Sequence, residues 1–212
     1  MRTLVIDTAT AACSVALLDG DRVVAHAHDV VGRGHAEKLV PMIAALPDGG
    51  RAARILVDCG PGSFTGIRVG IAAARGLALG WGIPVSGYSS LALIAAAAFA
   101  SRDDQMLTVV LEGGHGEVFV QGYARDLTAL GPFASMKPEA ALAAVEGRVA
   151  VGNGVRWLTA LRPDLPVVEA LPEAAQAWRL PDTLIDLAPR PVYGRAPDAK
   201  LPGGVTPPGV AA

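Results

Sequence analysis

The sequence predicts an α/β protein with a mixed sheet, on three observations. The chain opens with strand-like runs, Thr3–Thr8, Ala12–Asp19 and Arg22–Asp29, the last two joined by Asp19-Gly20-Asp21. An Asp-Gly pair marks a tight hairpin, so these runs read as a meander. Arg54–Cys59 is then an apolar strand-like run, followed by a Gly/Pro turn and an Ala-rich helix from about Ile67 to Leu79. Ile83–Tyr88 and the helix capped by Ser89 or Ser90, reaching about Ala100, continue the alternation of strand and helix. A meander followed by such alternation calls for antiparallel and parallel pairing in one sheet.

The other elements follow in chain order. Gly34–Leu46 reads as a helix with Leu39, Met42, Ile43 and Leu46 on one side, and Pro41 inside it should loosen or kink it. The polar stretch Ser101–Asp104 is the best boundary, giving a first lobe over 1–102 and a second over 103–196. Leu107–Leu111 and Glu117–Tyr123 form a hairpin around Glu112-Gly-Gly-His-Gly116, whose glycines fit a flexible turn as well as a phosphate loop. Lys137-Pro138-Glu139 opens a helix to about Val145, and Arg148–Val151 is a strand leading into Gly152-Asn153-Gly154. Ten of the sixteen prolines lie beyond Arg162, so the last fifty residues cannot be mostly regular structure. Short helices are expected at Glu173–Leu180 and Thr183–Leu187, and 197–212 reads as a disordered tail. The sequence shows no internal repeat.

Composition narrows the function. The longest apolar run, Leu91–Ala100, is too short to span a membrane, and Asp7 interrupts the start before a secretion signal could form. A cytoplasmic protein is expected. Cys13 and Cys59 stand singly at strand-like positions, where buried thiols are the ordinary reading. His26 and His28 share one strand face without a third ligand nearby, which reads as a solvated edge strand and not a zinc site. With a formal charge of −2 and scattered arginines, the chain offers no basic window for nucleic acid. Contact with RNA would have to come mainly from a partner.

The turn Gly60-Pro61-Gly62-Ser63-Phe64-Thr65-Gly66 is the strongest local signal. Ser63 or Thr65 should cap the helix that follows, and backbone N–H groups there could hold an anion. It lacks the Gly-Lys-Ser/Thr ending of an NTPase loop and is one residue too long for a dinucleotide fingerprint. Within the helix, Gly66, Gly70, Ala74 and Ala78 recur every four residues and form a small-residue stripe. Such a stripe admits another helix closely, either from this chain's own core or from a partner subunit.

The run Gly60–Gly70, with Leu4–Thr10 and Ala12–Leu17, resembles the TsaB (YeaZ) family of bacterial tRNA threonylcarbamoyladenosine proteins. The likeness is dense over about the first 100 residues and returns at Gly152-Asn-Gly154 and Pro191-Val-Tyr193-x-Arg195. It implies the two-lobed actin-like fold of acetate and sugar kinases, Hsc70 and actin. It also implies a non-catalytic subunit that pairs with its larger metal-binding paralogue TsaD, with the ATPase TsaE completing the assembly. ATP and metal would then sit in those partners, no cofactor in this subunit, and tRNA would be met only through the complex. Alone, the chain would pair with itself. The docking face implied comprises His35, Leu39, Met42 and Ile43 of the first helix with Gly66, Arg68, Gly70, Ile71, Ala74, Arg75 and Ala78 of the next.

Nucleotide-binding members of that superfold carry Asp-x-Gly-Thr/Ser in the first hairpin, where this chain has Asp7-Thr8-Ala9-Thr10. Ala9 puts a Cβ where phosphate would approach. Asp7, Thr8 and Thr10, with Gly60, Gly62, Ser63 and Thr65, therefore make at most a vestigial nucleotide or anion loop, and Asp7 is expected to bond its own turn. In the second hairpin Glu112 takes the place of the family's Asp and Gly114 that of its Arg. The His-x-x-x-His metal pair of the larger paralogue is absent from the sequence. The rival readings are a small-molecule kinase or ATPase, a glycoprotease and a purely self-associating module.

Overall fold

Two five-stranded mixed sheets organise the chain, and both follow one topology. The computed structural model describes residues 1–32 and 34–194; Arg195 and the predicted tail lie outside the described residues. In the first sheet β1 (Arg2–Asp7), β2 (Ala12–Asp19), β3 (Arg22–Val30), β4 (Arg54–Asp58) and β5 (Val85–Tyr88) are ordered β3-β2-β1-β4-β5. The second holds β6 (Met106–Gly114), β7 (Glu117–Ala124), β8 (Ala134–Met136), β9 (Val149–Val151) and β10 (Val167–Val168), ordered β8-β7-β6-β9-β10. Each begins as an antiparallel meander, and its first strand then takes a parallel neighbour that takes another. The chain is thus a structural duplication, although the sequence shows no repeat. Pairing direction and burial need only apolar residues in alternation, so the two halves can match in fold without matching in residues.

Helices separate and cover the sheets. α1 (His35–Ala44) and α2 (Phe64–Trp81) pack on the outer face of the first sheet, around Leu4, Ile6, Val15, Leu17, Ile55 and Val57. α4 (Pro138–Ala144) and α5 (Val155–Thr159) cover the outer face of the second, around Val110, Val118 and Ala150. Between the sheets lies α3 (Ser90–Ala100), whose sequence SLALIAAAAFA is apolar all round because both sheets contact it. Leu56 and Val5 of the first sheet share this central core with Leu107, Val109 and Val151 of the second.

α1 carries Pro41 inside it, as expected, and Ala45 N–H bonds the Pro41 carbonyl at 3.0 Å. Two expectations change. α2 starts three residues before the expected Ile67, because Ser63 Oγ accepts from Gly66 N–H and so caps the helix at Phe64. The second lobe is not one continuous stretch over 103–196. Beyond β10 the chain returns to the first sheet, where Ala174 N–H bonds Ser14 Oγ at 3.0 Å and Leu187 pairs with Gly87. Val192 N–H then reaches the Cys59 carbonyl at 2.8 Å. The proline-rich end is held by these isolated bonds and by two 3₁₀ turns, Ala174–Arg179 and Asp182–Leu184, at the places where short helices are expected.

Candidate functional site

The strand ends of the first sheet bring the predicted loop residues together. The turn after β1 and the turn after β4 interlock: Ser63 N–H donates to the Ala9 carbonyl at 2.6 Å, and Thr8 Oγ1 donates to the Gly66 carbonyl at 2.7 Å. The glycines serve this crossing. A Cβ on Gly62 would stand 2.0 Å from Ala9 O, and one on Gly66 would stand 2.0 Å from Thr8 O. The Ser63 N–H, an anion donor in the sequence reading, is therefore committed to protein. Thr10 lies under α1, its carbonyl bonded by His35 Nε2 at 2.9 Å, while Thr65 is exposed. Asp7 accepts from Ala9 N–H at 3.4 Å and from the Tyr88 hydroxyl at 2.8 Å.

Sequence reasoning missed Asp58. The parallel pairing of β1 with β4 aligns Ile6 with Val57, so the next residues, Asp7 and Asp58, meet at the strand ends. Both carboxyls are buried and hydrogen-bonded to each other. Asp58 also accepts from Gly60 N–H at 2.7 Å and Ser90 Oγ at 2.6 Å. Burial, then the Asp58 charge, holds the Asp7 carboxyl well above the usual carboxylate range. Burial likewise pushes Asp58 up to about 6, against the hydrogen bonds from Ser90, Asp7 and Gly60 that favour its charge. Two adjoining carboxyls both raised in this way can share a proton, while Tyr88 and Ala9 N–H donate to Asp7 and Ser90 and Gly60 N–H to Asp58. The signal was available: an acid ending each of two apolar strands that parallel pairing would make neighbours.

The duplicate turns of the second sheet are also closed. His115 and Gly116 both have positive φ, as a two-residue hairpin turn requires. Glu112 accepts from Arg156 Nη2 and, at 3.2 Å, from Trp157 Nε1, while its own N–H donates to Asn153 Oδ1 at 3.1 Å. Asn153 thus ties the Gly152-Asn153-Gly154 loop to the β6–β7 hairpin, as Ser63 ties its loop to Ala9.

The predicted docking residues divide by direction. Gly66, Gly70, Ala74 and Ala78 face inward: all are buried in the core between α2 and the first sheet. A Cβ on Gly70 would stand 2.5 Å from Thr8 Oγ1. The stripe is a seat for α2 on its own β1 and β4, and the reading that a foreign helix uses it is corrected. His35, Leu39, Ile43 and Ile71 are buried in the same core and Met42 is half-buried, whereas Arg68 and Arg75 are exposed. A second small-residue stripe points outward instead: Ala72, Gly76 and Gly80, with nothing within 4 Å of a Cβ built on either glycine. Beside it Leu79 is 86% exposed, Val40 of α1 is 61% exposed and Phe64 is 64% exposed. Arg68 lies 3.2 Å from the Phe64 ring centroid and donates to the Tyr193 hydroxyl at 2.6 Å.

Two sheets of one topology, each with a hairpin turn and a strand–helix loop at the same end, define an actin-like protein of the acetate- and sugar-kinase class. The ethanolamine utilization protein EutJ of Carboxydothermus hydrogenoformans shares that fold, with a TM-score of 0.50 over 84% of this chain and 88% of its own, at 12% identity. A Pseudomonas aeruginosa structure described as similar to peptidase YeaZ superposes with a TM-score of 0.74 at 29% identity, covering 92% of this chain and 99% of that one. Residues 27–149 match the family model for TsaD, tRNA N6-adenosine threonylcarbamoyltransferase. The Escherichia coli tRNA threonylcarbamoyladenosine biosynthesis protein TsaB is 37% identical over 131 residues, 59% of this chain and 56% of that protein. An uncharacterized Mycobacterium tuberculosis protein is 32% identical over 213 residues, 93% of each. The chain belongs to the TsaB (YeaZ) family. It spans about half the length of the curated TsaB relatives it matches.

Proposed function

We propose that this chain is a non-catalytic docking subunit of the bacterial assembly that installs threonylcarbamoyl on the adenosine beside the tRNA anticodon. Its partner in that reading is the larger paralogue TsaD, with TsaE joining the complex and tRNA reached only through it. ATP and metal belong to those partners, and the chain pairs with itself when they are missing. The observation that carries the docking role is the outward stripe of α2. A glycine inside a helix costs about 1 kcal/mol relative to alanine. Gly76 and Gly80 accept that cost with no atom of the described residues near enough to require it. A partner helix lying against Ala72, Gly76, Gly80 and Leu79 would require it. The interlocked turns support the non-catalytic part, since Ser63 N–H and Thr8 Oγ1 are spent across the crossing and Gly60 N–H on Asp58.

Gly76→Leu tests this reading. The variant should fold with an unchanged or slightly raised Tm, because leucine is the better helix former and meets open space. Pairing with TsaD, followed by calorimetry, should weaken by roughly ten- to hundredfold, as overpacking of about 1–3 kcal/mol implies. Modification of tRNA by the mixed subunits should fall with it. Undiminished pairing would place the interface elsewhere.

A further inference from the structure

The exposed side of α2 carries cations and no acid. Arg68 and Arg75 lie seven residues apart, so they share one stripe of the helix, and the sequence Phe64–Trp81 contains no Asp or Glu. Neither arginine has a carboxylate within ion-pair distance among the described residues. Arg68 is held in place by Phe64 O and the Tyr193 hydroxyl, which leave its charge unneutralised. On the neighbouring α1 the charged groups are Glu37 and Lys38. Lys38 is paired with Asp29 at 3.0 Å, and Glu37 folds toward Gly34 at the first turn. A two-fold pairing of this face with its own copy would bring like charges together along α2, with no carboxylate on that helix to answer them.

We propose that Arg68 and Arg75 set partner choice, so that this face prefers a protein whose docking helix carries carboxylates opposite them over a second copy of this chain. The inference rests on the docking face described under the proposed function and adds the chemistry of its occupant. Charges at such a rim govern on-rate and selectivity, and salt screens them. The apolar exposure of Leu79, one turn beyond Arg75 on α2, and of Val40 on α1 favours a protein partner over nucleic acid.

The test uses the full chain with TsaD from the same cell. Calorimetry at low and high NaCl should show the mixed pair weakening about tenfold between about 50 and 500 mM. Sedimentation velocity should show the chain's self-association unchanged or strengthened over the same range. Arg68→Glu/Arg75→Glu should cost the mixed pair at least about tenfold at low salt and leave the Tm within a few degrees. A mixed pair indifferent to both salt and charge reversal overturns the proposal. If Gly76→Leu abolishes pairing while the charge reversal does not, the docking face stands and its electrostatic selectivity falls. If pairing survives Gly76→Leu, the face itself is wrong. Salt-sensitive binding of a tRNA transcript by the chain alone, removed by the charge reversal, would assign the arginines to RNA and overturn the proposal too.

Discussion

Gly70→Leu should destabilise the protein, lowering its Tm by roughly 2–12 °C. Even the first added carbon meets Thr8 Oγ1 at 2.5 Å, and the rest of the side chain would enter space bounded by Ile6 and Val57 at 3.6 Å. Thr8 cannot retreat, because it donates to Gly66 O across the interlocked turns. Overpacking of a well-filled core costs about 1–3 kcal/mol and sometimes more. Loss of the buried Thr8 bond adds about 1 kcal/mol. Improved helix propensity returns at most about 1 kcal/mol. The net loss of about 1–3 kcal/mol is a sizeable part of an ordinary domain's stability, and for this length each kcal/mol is about 2–4 °C. Thermal melts of Gly70→Leu beside Gly76→Leu make the comparison internal: same helix, same substitution, opposite faces. A Gly70→Leu variant that melts with the parent would show that α2 does not sit on its sheet as described.

The second large effect is an acid-side gain in stability. Asp7 and Asp58 are both raised in the folded protein, so between the ordinary carboxylate pKa and their folded values the native state holds protons that the unfolded chain has released. Their contribution is complete below about pH 4 and is lost as pH rises through about 6 for Asp58. Stability should therefore increase on going from pH 7.5 to pH 5, by roughly 1.4 kcal/mol if Asp58 alone is counted. Asp19 and Asp126 shift the other way, lowered by hydrogen bonds to the chain's N-terminus and to Thr128, and titrate below this window. Asp58→Asn removes the buried charge and should flatten the profile between pH 5 and 7.5. Urea midpoints at three pH values for parent and variant measure it. A parent more stable at pH 7.5 than at pH 5, or a slope that survives Asp58→Asn, would contradict the shared-proton dyad.

Local chemistry made much of the fold legible. The Asp19-Gly20-Asp21 turn, the Ser63 cap and the Ser89 cap each bond within a few residues, so the code for them is short-range. The first-lobe strands and the hairpin of the second were legible for the same reason, since alternation is written in neighbouring residues. Pro41 denies α1 one backbone bond, while Leu39 and Ile43, anchored in the core on either side of it, hold the helix at that position.

Sequence by itself determined the meander, the strand–turn–helix unit, the family and the presence of a small-residue stripe on α2. Tertiary structure decided which way that stripe points. Gly66, Gly70, Ala74 and Ala78 and the alternative Ala72, Gly76 and Gly80 have the same spacing, and only the position of the sheet under α2 separates them. Asp7 and Asp58 became a pair for the same kind of reason: fifty-one residues apart in the chain, they adjoin because β1 and β4 run parallel. The duplication of the sheets was equally invisible, because hydrogen-bond direction is a backbone property that many residue sets satisfy. What a residue faces is fixed by contacts distant in sequence, and periodicity records the spacing of a pattern without its direction.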